Sequence, residues 1–130
     1  MIKANPANKK GSLTIIAGPM FAGKTEELLR QVRRAQYAQK EILIFKPSLD
    51  NRYSATEITS HINNKTVATI ISKSKEIYTH LKKRPKTKVI FLDELHFFDP
   101  KIVKTLNKLA KEGYQIIATW FRPRFSRKTI

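Results

Sequence analysis

The chain has 130 residues, 41% hydrophobic content and no cysteine, which allows one modest core and excludes disulfides and any cysteine-ligated zinc within it. No apolar run approaches the roughly 18 residues of a membrane span, and the Asn/Lys/Pro-rich opening lacks the apolar segment of a signal peptide, so the expectation is a cytoplasmic domain behind a disordered tail, residues 1–11. Net charge is +16, which would suit nucleic acid, but lysine outnumbers arginine and aromatics are not interleaved with the basic residues, so a compositional bias is the preferred reading over a nucleic-acid partner.

Leu13–Ala17 is an apolar run of the kind that forms a buried strand. It feeds Gly18-Pro19-Met20-Phe21-Ala22-Gly23-Lys24-Thr25, a complete G-x-x-x-x-G-K-[ST] loop, and a helix follows from Lys24 to about Gln39. Leu28, Leu29, Val32, Ala35 and Tyr37 keep helical spacing for an inward face, while Arg30, Arg33, Arg34 and Lys40 face water. Ile42–Phe45 is a second strand, ended by Lys46-Pro47. A polar stretch runs from Ser48 to Lys65, Val67–Ile71 is a third strand, and Ser74–Lys83 is a short helix with Ile77, Tyr78 and Leu81 inward. Val89–Asp93 is the clearest strand, its unbroken apolar run suiting burial on both faces. Asp99-Pro100 predicts an N-cap and a proline at the first helical position. Ile102, Val103, Leu106, Leu109 and Ala110 form one stripe, Gly113 stops the helix, and Tyr114–Ala118 is a fifth strand. Strands alternating with helices predict an α/β, three-layer P-loop fold with a mostly parallel central sheet.

The loop carries a mechanism. Glycines let backbone N–H groups curl around phosphate oxygens, the helix N-terminus adds partial positive charge, Lys24 reaches the β- and γ-phosphates, and the Thr25 hydroxyl ligates Mg²⁺. A second element completes it. The apolar strand ends in Asp93, whose carboxylate emerges at the sheet edge where ligands bind and can hold Mg²⁺. Glu94 follows and can take a proton from an attacking hydroxyl or water. His96 reads as a polar contact at the rim of the site. Phe97 and Phe98 read as core more than as a substrate platform, with one of each a further possibility.

Gly11-Ser12-Leu13, the phosphate loop, Glu27-Leu28-Leu29-Arg30, Phe45-Lys46-Pro47, Asp50-Asn51-Arg52-Tyr53-Ser54, Ser60-His61 and Phe91–Phe98 together resemble the cytosolic thymidine kinases of the RecA-like, zinc-containing type. The resemblance covers residues 11–118. It implies transfer of the ATP γ-phosphate to the 5′-hydroxyl of thymidine, with Glu94 as general base, Gly18–Thr25 as phosphate loop, and Thr25 and Asp93 on Mg²⁺. It further implies that Asp93, Glu94, Leu95 and His96 contact nucleotide, that Met20 and Phe97 line the thymidine pocket, and that Asp50 and Arg52 face the phosphates and metal. His96 stands where the family usually has Gln. The family is usually tetrameric, so a homo-oligomer is possible.

Past Ala118 the chain departs from the family, which continues Gly-Leu-Asp-x-Asp-Phe into a cysteine-ligated zinc subdomain and a lasso loop. Residues 119–130 instead form a basic tail with Arg122, Arg124 and Arg127. Freely chosen codons from Trp120 onward, read one base out of register, can regenerate Gly-Leu-Asp-x-Asp-Phe-x-Glu-Lys-Pro. The expectation is therefore a frameshifted kinase core, residues 12–118, that retains ATP binding with impaired transfer and lacks zinc ligands. Two other readings stay open at this point: a P-loop ATPase acting on nucleic acid, and a non-catalytic remnant.

Overall fold

The computed structural model describes residues 11–19, 23–48, 57–59 and 65–121. Seven strands and three α-helices run along them: β1 Ser12–Gly18, α1 Lys24–Tyr37, β2 Ile42–Pro47, β3 Glu57–Thr59, β4 Lys65–Val67, β5 Thr69–Ile71, α2 Glu76–Lys83, β6 Val89–Leu92, α3 Ile102–Lys111 and β7 Gln115–Phe121. Five strands make one sheet in the order β1-β7-β6-β2-β5, every pairing parallel. β3 and β4 form a separate antiparallel pair.

Each face of the sheet has its own core. Leu28, Leu29, Val32 and Ala35 of α1 pack on Ile44, Phe91 and Ile117, and the partly buried Ile16 joins them. On the opposite face Ile77 and Leu81 of α2 and Ile102, Leu106 and Leu109 of α3 pack on Phe45, Ile90, Leu92 and Ile116. The alternation of these sheet residues between faces is the period of two that a strand imposes, and the result is helix, sheet, helix in three layers. The α/β architecture read from the sequence is the one observed.

Several local expectations are corrected. β1 lies at the sheet edge with one neighbour, so it is half covered and not buried; Ile15 is 40% exposed. Tyr37 is 93% exposed instead of inward, because it ends α1 just beyond the sheet, and Val103 is 40% exposed at the margin of the α3 stripe. The strand expected over residues 67–71 is broken at the buried Ala68, its first part belonging to the small sheet and its second to β5. Asp99 does not cap a helix that starts at Pro100. α3 starts at Ile102, and the Asp99 carboxylate accepts from the Ser74 N–H at 2.7 Å and hydroxyl at 3.0 Å in addition to the backbone N–H of Lys101. Gly113 does stop α3, at φ 109.

β7 continues through Thr119, Trp120 and Phe121, past the end expected at Ala118, because Ala17 and Gly18 of β1 still offer pairing partners there. Gly11, expected in the tail, donates its N–H to the Ala110 carbonyl at 2.9 Å. Its backbone passes so close to the Tyr114 carbonyl that a side chain there would strike it. The remaining N-terminal tail and the basic tail from Arg122 lie outside the described residues.

Candidate functional site

The phosphate loop leaves the carboxyl end of β1 at Gly18 and ends at Gly23, which takes the left-handed conformation (φ 80, ψ 17) immediately before α1. That conformation is open to glycine and strained for most other residues. It lets α1 start abruptly, so the unpaired N–H groups of its first turn and the positive end of its dipole face the loop. Lys24, the first residue of α1, folds back to donate its ammonium to the Pro19 carbonyl at 2.9 Å and stands 5.9 Å from the centre of the Phe121 ring. Thr25 is half-buried one residue on. Glu27 is engaged by the Arg30 guanidinium at 2.7 and 3.0 Å and by Gln31 at 2.9 Å. Those bonds, the Arg30 bond foremost, hold its carboxyl below the ordinary range.

Across the sheet, β6 delivers Asp93, 4% exposed, at the same carboxyl edge. Its N–H donates to the Phe45 carbonyl at 3.0 Å, which carries the pairing with β2 one step past the strand. Glu94 then adopts a left-handed conformation (φ 58, ψ 57), rare for a residue with a side chain. It breaks the strand and starts a short 3₁₀ turn over Leu95–Phe97. Leu95 sends its side chain into the core, so its backbone is what remains to face a ligand. Phe97 and Phe98 divide: Phe98 is buried and Phe97 is 37% exposed beside His96.

The two halves are joined by β7, which lies between β1 and β6. One intervening strand sets the loop strand and the acidic strand about 10 Å apart, at roughly 4.8 Å per step. That span suits a polyphosphate. Thr119, 1% exposed, donates its hydroxyl to Asp93 Oδ1 at 2.7 Å and accepts the Glu94 N–H at 2.8 Å. The Phe121 N–H donates to His96 Nδ1 at 3.0 Å, and His96 Nε2 stands 3.7 Å from Glu94 Oε1. The rim position expected for His96 thus becomes a bridge between the end of β7 and the acidic turn. Sequence reasoning missed Thr119 and Phe121, because neither belongs to a contiguous motif. It also gave no role to Lys46, which is 1% exposed at the end of β2, the strand beside β6.

The donors available here are oxygens: the Thr25 hydroxyl and the Asp93 carboxylate. Hard oxygen donors with one carboxylate suit Mg²⁺ held largely through substrate phosphates and water, so these residues fit that ion. The sequence contains no cysteine, and no group of three or more His, Asp or Glu that could hold a metal occurs among the described residues. Met20, Phe21, Ala22, Asp50 and Arg52 lie outside the described residues. No helix among those described is long and apolar enough to cross a membrane.

A solved structure described as an ATPase domain superimposes with a TM-score of 0.62 over 89% of this chain and 59% of that one, at 16% identity. That likeness establishes the fold, and the chain spans less than two thirds of that domain's length. The family model described as thymidine kinase matches residues 11–130, which takes in both halves of the site and the strand that joins them. The chain belongs to the thymidine kinase family.

Proposed function

We propose that this chain binds ATP with Mg²⁺ and transfers the γ-phosphate to the 5′-hydroxyl of thymidine. The observation that carries the proposal is the pairing, at one sheet edge, of a phosphate loop with an acidic turn whose second acid, Glu94, is swung out of the strand by its left-handed backbone. Gly18–Thr25 would cradle the phosphates through backbone N–H groups, with Lys24 exchanging its bond to Pro19 for phosphate oxygens. Thr25 and Asp93 would hold Mg²⁺, which would offset the negative charge of the phosphates. Glu94 takes the proton of the 5′-hydroxyl as that oxygen bonds to the γ-phosphorus and the bond to the β-phosphate oxygen breaks, releasing ADP. Phe97, exposed beside the turn, offers a face for the base. Met20, Asp50 and Arg52 are proposed for the nucleoside and phosphate side of the site, and His96 for its nucleotide edge.

The test is transfer of labelled phosphate from ATP to thymidine, together with ATP affinity, for the chain and for Glu94→Gln. The variant is expected to keep ATP affinity within about threefold while turnover falls by roughly 10²- to 10⁴-fold, the usual worth of a general base. Equal loss of affinity and turnover would assign Glu94 to metal or nucleotide binding instead. DNA-stimulated ATP hydrolysis without any thymidine phosphorylation would overturn the kinase reading.

A further inference from the structure

Glu94 must hold a left-handed backbone conformation that is unfavourable for an L-residue, and the acid beside it must keep one orientation while buried at a sheet edge. What fixes both is a side chain on another strand. Thr119 comes 25 residues after Glu94, yet β7 pairs with β6 in a register (Leu92 opposite Ala118) that brings Thr119 to the end of β6. Its hydroxyl is used in both senses. It donates to Asp93 Oδ1 at 2.7 Å and accepts the Glu94 N–H at 2.8 Å, so it holds both the Asp93 carboxylate and the Asp93–Glu94 peptide plane from which Glu94 turns out of the strand. Two residues further on, the Phe121 N–H holds His96 at 3.0 Å, so the end of β7 grips the acidic turn at three points over four residues.

We propose that Thr119 is a positioning residue for the phosphoryl transfer described above: its hydroxyl locks the Asp93–Glu94 turn and so aims the base and orients the metal-holding acid. This rests on the assignment of Glu94 as base. Thr119 touches no substrate. It acts by holding the Asp93–Glu94 peptide plane in one orientation, and with it the point from which the Glu94 carboxylate is directed at the acceptor. Misplacement of a reacting group by about 1 Å can cost roughly 10²-fold in rate.

The experiment compares Thr119→Val with Thr119→Ser. Valine keeps the branched shape and the strand but offers neither a donor nor an acceptor; serine restores both. Exchange of the Glu94 amide hydrogen, followed by NMR, needs no substrate and is expected to be slow in the parent and in T119S and markedly faster in T119V. Equal protection of that amide in T119V overturns the proposal, whatever the acceptor proves to be. In the transfer assay, T119V is expected to lose about 10²-fold in kcat with KM for ATP and for thymidine within about threefold, and T119S to recover most of the loss. A T119V rate within about threefold of the parent, or a T119S variant as impaired as T119V, also overturns it. A parent chain that phosphorylates no nucleoside would instead remove the kinase reading, and amide exchange would still decide whether Thr119 holds the turn.

Discussion

His96 shows how far a single residue can be argued. Because Nδ1 accepts the Phe121 N–H at 3.0 Å, the neutral ring carries its proton on Nε2, the nitrogen that stands 3.7 Å from Glu94 Oε1. A glutamine amide also presents one acceptor and one donor. His96→Gln is therefore expected to keep thymidine phosphorylation within about threefold, whereas His96→Leu leaves a part-buried N–H without its partner. That loss costs about 1–3 kcal/mol, read as a lower denaturation midpoint. A leucine variant as stable as the parent would show that the bond to Phe121 contributes nothing. The sequence singled out Lys24, Asp93, Glu94 and His96 as candidates because each sits in a contiguous motif with a known chemistry. Thr119 was not legible, since the strand expected from the sequence ends at Ala118 and leaves it in the tail, and a lone threonine carries no signal until the strand order places it against another strand's end.

The elements were legible where periodicity alone decides them. Leu28, Leu29 and Val32 face the core as their spacing requires, and the Val89–Leu92 run is buried on both faces. Where a tertiary bond shares a side chain with a local rule, the local rule gave only part of the outcome. Asp99 was expected to cap α3, but Ser74 offers it an N–H and a hydroxyl together, and the carboxylate ties the start of α3 to the segment leading into α2. Burial on its own would raise the Asp99 carboxyl. The bonds from the Ser74 N–H and hydroxyl and from the backbone N–H groups of Asp99 and Lys101 outweigh it and hold the group below its ordinary value. A depressed carboxyl contributes stability that is complete above the unfolded value, about 3.9 for aspartate, and lost as pH falls through the lower folded value. Asp99→Ala is thus expected to destabilise by about 1.5–3 kcal/mol at neutral pH, the worth of hydrogen bonds to a charged group. The gap to the parent should narrow as pH drops below about 3.9. Chemical denaturation of both proteins at several pH values measures it, and a gap that stays constant down to strongly acid pH would show that the charge of Asp99 is not what joins the two helices.

Strand order is a property of the whole molecule, and it explains why the burial of β1 was misjudged: its apolar run is as strong as that of an interior strand, but among the described residues it pairs with β7 alone. An edge strand presents unpaired backbone groups to other chains, and natural edges are commonly blunted with charge, lysine above all. Here the exposed residues are Ser12, Thr14, Ile15 and Ala17, none of them charged, and Ile15 is a large apolar side chain 40% accessible. Net charge works against association through that edge. At +16 the chains repel one another over a Debye length of about 30 Å at 0.01 M salt, which shrinks to about 3 Å at 1 M. Self-association of the parent, followed by light scattering, is therefore expected to rise with salt. Ile15→Lys should suppress that rise by placing a charge directly on the edge, while the melting temperature shifts by no more than a few degrees because a side chain so exposed contributes little packing. If the variant associates as steeply with salt as the parent does, β1 is not the surface through which the chains meet.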